Sequence, residues 1–186
     1  GDHDPAMTAV YLLQSGGERA AKQIRAAWPT ISLLGQKRVI GALRRLAKDH
    51  EAAIDALIEA ARSEDEDLRD RAFEALRHTE ARGRQALVEL VVDPAVGDRA
   101  ASLLAREEPD FAIRPLLDAM AQPNGPNRRA LRAALRTAVQ RSIRDANGAL
   151  QQWLAKSPPV PAVASAALAL VGLEAQRAQS TAFIEY

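Results

Sequence analysis

ALIEAARSEDEDLRDRAFEALRHTEARGRQALVELVVDP, residues 56–94, holds two helix patterns separated by a run of acids. Leu57, Ile58 and Ala61, joined by Ile54 just upstream, fall at i, i+3, i+4 and i+7, one face of a helix. Leu68, Ala72, Ala75 and Leu76 mark a second face. Between them stand Ser63, Glu64, Asp65, Glu66 and Asp67. A serine followed by acids is what a helix start requires. The hydroxyl caps a free amide, and the carboxylates meet the positive end of the helix dipole. Ser63 is the predicted N-cap, and no second ligand cluster accompanies the acids to suggest a cation site.

The pattern repeats outward at about 30 residues. Leu87, Val88 and Val91 form the next copy of the first helix, then Ile113, Leu116, Leu117 and Met120. Ile24 lies one step before, and Leu150 one step after. Each copy is followed by a second helix, predicted at 39–47, 71–79, 99–107, 130–138 and 164–172, with Leu43, Leu76, Leu104 and Leu135 as anchors. Asp93-Pro94, the stretch Gln122 to Pro126, and Ser157 to Pro159 supply the turns. The unit is a helical hairpin, present in about five copies.

Composition agrees. The 186 residues are 47% hydrophobic but only 4% aromatic, and most of the apolar content is Ala and Leu, strong helix formers. A net charge of +1 gives no global drive toward nucleic acid or membrane. The absence of cysteine removes disulfides and thiolate chemistry and leaves the compartment open. The uncharged run Ser157–Leu173 is short for a membrane span and contains prolines, so no membrane insertion is expected. The opening Gly1–Ala6 looks like a cloning remnant ahead of Met7. The expected organisation is one domain over 7–175, with a tail at 176–186.

The stretch 56–94 resembles the short HEAT repeats of the phycobilisome-lyase type, in which an apolar helix leads through an acidic turn into V/L-R-x-x-A-x-x-A-L. Leu68-Arg69, Ala72 and Ala75-Leu76 carry that pattern. The match is closest over 51–107 and looser elsewhere. Asn127-Arg128 and Leu131 stand in at one repeat, and Pro161 replaces the arginine at the last. The resemblance implies an all-α fold, a right-handed α-solenoid of about five antiparallel HEAT-like hairpins. It does not imply one function, because such repeats serve many unrelated proteins.

Catalytic constellations are not found. His50 and His78 have no ligand partner at i+3 or i+4, Ser and Thr have no adjacent base, and no Gly-rich phosphate loop appears. Some relatives of the family are chromophore lyases, but no catalytic residue carries over. The expectation is no enzyme, no cofactor and no metal.

Charge is more informative. Residues 33–48 carry Lys37, Arg38, Arg44, Arg45 and Lys48 without an acid. Residues 126–144 carry Arg128, Arg129, Arg132, Arg136, Arg141 and Arg144, also without one, until Asp145. Both are second helices, which the resemblance places on a concave face. Lys37, Arg44, Lys48, Arg129, Arg132 and Arg136 are the candidate partner-binding residues. The plain alternative is a solvated helix face. The sharper reading is a protein–protein scaffold that holds an acidic or phosphorylated partner. Nucleic acid is a lesser alternative, since an acidic helix (Glu64 to Glu74) separates the basic stripes and Trp28 and Trp153 sit at packing positions. A regulatory or sensory domain attached to a catalytic or membrane part is another. The uncharged segment 159–173 needs cover. A fragment boundary, a folded-back tail anchored by Phe183, Ile184 and Tyr186, and a dimer through 159–173 are the options.

Overall fold

The computed structural model describes residues 16–122, 127–156, Ala169 and Gly172. The expected roles of 159–173 and 176–186, including the dimer, lie outside them, except that Ala169 and Gly172 are helical. Among the described residues every regular element is a helix. They form α1 (Gly17–Ala27), a 3₁₀ turn (Trp28–Thr30), α2 (Leu33–Leu46), α3 (Glu51–Ala61), α4 (Glu66–Arg77), α5 (Glu80–Leu90), α6 (Gly97–Leu104), α7 (Pro109–Ala121), α8 (Arg128–Arg141) and α9 (Ile143–Lys156). None is long and apolar enough to cross a membrane.

The chain divides into two compact units, 1–87 and 88–186, and the division falls inside α5. In the first unit α1 packs on α3 and α2 on α4, with α3 also against α2 and α4. First helices thus stack on first helices, and second on second. The expected periodic residues are the cause. Ile24, Leu43, Leu57, Leu68 and Leu76 are all buried, and buried Ala53, Ala56, Ala60 and Ala61 let α3 approach its neighbours closely. Each fully buried leucine contributes roughly 1.5–3 kcal/mol. The second unit follows the same rule. There α6 packs on α8 and α7 on α9, and α7 also packs on α8. Leu104, Ile113, Leu116, Leu117, Leu131, Leu135 and Leu150 fill its core. Leu87 and Leu90 of α5 and Val91 just after it are buried, whereas Val88 of the expected stripe is half-buried.

In each layer a polar bond ties a hairpin to the next. In the first unit both are ion pairs: Arg25 Nη1 to Glu59 Oε2 at 2.6 Å between first helices, and Lys37 Nζ to Asp65 Oδ1 at 2.8 Å between second helices. In the second unit neither is. Trp153 Nε1 donates to Asp118 Oδ1 at 2.7 Å, and the Asn127 amide donates to Asp98 Oδ1 at 3.1 Å.

Three local expectations need correction. The N-cap of α4 is Asp65 and not Ser63. Asp65 has extended backbone (φ −72°, ψ 117°), and its Oδ1 accepts from the Leu68 amide at 2.8 Å. Ser63 sits two residues earlier, where its hydroxyl accepts from the Asp65 amide at 3.2 Å. The second helix expected at 39–47 begins at Leu33, because Ser32 caps it through the Gly35 amide. The second helix expected at 99–107 runs instead from Gly97 to Leu104, after the expected turn at Asp93, whose Oδ1 accepts from the Ala95 amide at 2.9 Å.

The junction between α4 and α5 is tight. Glu80 has a positive φ of 53°, and Gly83 lies so close to α4 that a Cβ there would stand 1.8 Å from the Leu76 carbonyl oxygen. Buried Thr79 keeps its hydroxyl satisfied on the Ala75 carbonyl at 2.8 Å.

Candidate partner-binding surface

The six candidate residues fall on two helices or, for Lys48, just past the end of one, with three in each unit. Lys37 belongs to α2 and is only 21% exposed. Its ammonium bridges Asp65 Oδ1 at 2.8 Å and Asp67 Oδ2 at 3.1 Å. Asp67 also accepts from Arg71 Nε at 2.8 Å. The hydrogen bond that Lys37 donates to Asp65, opposed by partial desolvation, raises the Lys37 pKa above its ordinary value. The Lys37 ammonium and then the Leu68 amide lower that of Asp65. The Arg71 guanidinium and then Lys37 lower that of Asp67. The acid run is therefore a helix cap that also clasps a cation from the preceding repeat. Arg44 closes α2 and Lys48 follows it, both exposed.

The α8 side is different. Leu131, Ala134, Leu135, Ala138 and Val139 are buried, and Arg129, Arg132 and Arg136 are exposed on the opposite side, as roughly 100° per residue requires. Arg136 holds an interaction of its own within the protein. Arg128, Arg129 and Arg132 form no ion pair with a described residue.

Helix starts sharpen the contrast. Every described helix carries an acid in its first turn except α2 and α8. The start of α2 is apolar, with Leu33 and Leu34 exposed. The start of α8 holds Arg128 and Arg129. A cation near a helix N-terminus costs about 0.3–1 kcal/mol relative to the favourable sign. Asn127 caps the helix, its Oδ1 accepting from the Arg129 amide at 2.9 Å, and Asp98 of α6 binds the Asn127 amide. Asp98 and Asn127 satisfy the backbone there. They form no ion pair with the two arginines.

Other chemistry is sparse. No group of three or more His, Asp or Glu stands together as metal ligands among the described residues. His78 Nε2 lies 2.8 Å from Glu74 Oε1, and Arg77 Nη2 lies 2.7 Å from the same oxygen. These two contacts, Arg77 first, lower the Glu74 pKa. Trp28, Phe73 and Trp153 are buried and Phe111 is half-buried, so no described aromatic ring is open for base stacking. Sequence reasoning missed the Lys37 clasp, yet the repeat step of about 30 residues that it found connects Lys37 to Asp65 and Asp67. The chain matches no family model, no curated protein and no solved structure.

Proposed function

We propose that this chain is a HEAT-like helical-repeat scaffold, its hairpins continuing as an α-solenoid, that binds an acidic segment of a partner protein through the arginine face of α8. The observation that carries this reading is the first turn of α8. It alone among the described helices begins with exposed cations and no acid, an arrangement that lowers helix stability and leaves Arg129 and Arg132 without an ion pair to a described residue. A face meant only for solvation would place acids there, as seven of its sister helices do. Residues that lower stability without structural return are expected at functional surfaces. The α2 stripe is the weaker candidate, since Lys37 is neutralised within the protein.

The test is binding of a labelled Glu-rich peptide to the intact chain and to the Arg129→Ala, Arg132→Ala, Arg136→Ala triple variant. Binding is expected to weaken between about 0.1 M and about 1 M salt and to be lost in the variant. Undiminished binding by the variant, with its helical circular dichroism intact, overturns the reading.

A further inference from the structure

The acidic-partner reading leaves the anion open, and the spacing of the arginines narrows it. Arg128 and Arg132 are an i, i+4 pair, and Arg129 and Arg132 an i, i+3 pair, so their Cβ atoms lie about 5–6 Å apart. All three are exposed. Beside them on the exposed side stand Ala133, with a short side chain, and Arg136, which holds another interaction. Like charges at this spacing repel, and no described carboxylate pairs with any of them. Of the helices packed on α8, α6 brings Asp98, which is engaged on the Asn127 amide, and Arg99, which holds another interaction. From α7 comes Asp118, engaged with Trp153, and Asp110 lies in the first turn of that helix. One carboxylate matches one guanidinium fork. Three exposed guanidinium groups within five residues of one helix, none in an ion pair with a described residue, suit a single group with several anionic oxygens, which each fork contacts through paired N–H donors.

We infer that Arg128, Arg129 and Arg132 form a recognition site for a phosphorylated residue on the partner protein. This rests on the acidic-partner reading and goes beyond it by naming a dianion in place of carboxylates. A nucleic-acid backbone offers the same phosphate chemistry, but it also wants stacking rings and a longer basic track than three residues. The described residues offer no open ring.

The experiment is a titration of the intact, isotope-labelled chain, followed by amide NMR. The probes are a phosphoserine flanked by three glycines on each side, the same peptide with glutamate in its place, and an oligothymidylate. The phosphopeptide is expected to shift amides of 128–133 and to saturate at a concentration about tenfold or more below the glutamate peptide. Arg129→Ala and Arg132→Ala should each weaken it about tenfold, whereas Arg19→Ala, which removes the same charge from α1, should not. Arg132→Lys keeps the charge and loses the fork. It should fall between parent and alanine, which guards against a variant that merely misfolds. Equal affinity for the glutamate and phosphoserine peptides overturns this inference and leaves the acidic-partner reading standing. Failure of both peptides overturns both. Oligothymidylate binding more tightly than the phosphopeptide overturns the protein partner in favour of nucleic acid.

Discussion

The basic helices α2 and α8 read alike in sequence, yet their charges have different fates. In the first unit Lys37 is drawn into a clasp with Asp65 and Asp67, and an ion pair also joins Arg25 to Glu59. In the second unit the hairpins are joined by the Trp153 and Asn127 hydrogen bonds, and the arginines at the start of α8 form no ion pair with a described residue. A basic run is thus a candidate surface only after its partners one repeat away are known. Where the next repeat supplies acids, the run is structural. Where it does not, the charge remains available to a partner.

The largest effect that sharpens this comparison is steric and belongs to the first unit. Gly83→Ala would drive a methyl group into the Leu76 carbonyl, so α4 and α5 must separate. Overpacking of this kind costs about 3 kcal/mol or more, read as a lower melting temperature by circular dichroism. Next comes Trp153→Phe, which removes the bond to Asp118 and some packing volume. It is expected to cost about 2 kcal/mol and to lower hydrogen-exchange protection in α7 and α9 while α1–α4 keep theirs. Equal loss in α1–α4 would break the division into units.

The clasp has a pH signature. Asp65 and Asp67 have lowered folded pKa values, so their contribution is complete above the ordinary 3.8 and is lost as pH falls through the lowered values. Lys37 is raised, so its contribution holds below the ordinary 10.5 and is lost above it. Lys37→Met is therefore expected to melt below the parent near neutral pH, with the gap closing below pH 3.8. A gap that does not change with pH would show that the clasp contributes no charge effect. The smallest effect is a gain. Arg129→Glu restores the favourable sign at the start of α8 and should stabilise by about 0.3–1 kcal/mol, read as a higher denaturant midpoint, while binding of the Glu-rich peptide is lost. Destabilisation would show that Arg129 has a structural role.

Much of this was legible in the residues. The spacing of Leu43, Leu57, Leu76, Leu104, Leu116 and Leu135 gave the helices and their period, because a buried stripe tolerates little besides apolar side chains. Helix ends were less legible. Ser63 and Asp65 are both good caps, and only backbone geometry decides between them. The role of Gly83 was hidden, since a glycine in a helix pattern does not reveal what passes close to it. The fate of Lys37 required a stacking register that composition and charge do not contain. The α8 arginines were visible as a run, but the missing first-turn acid gains meaning only beside the other helices.

The account stands most directly on which basic helix meets an acidic partner. Amide NMR of the intact chain, titrated with a Glu-rich peptide, decides it. Shifts centred on 128–136, with 37–48 unmoved, are the expected result. Shifts centred on α2, or none at either helix, would contradict it.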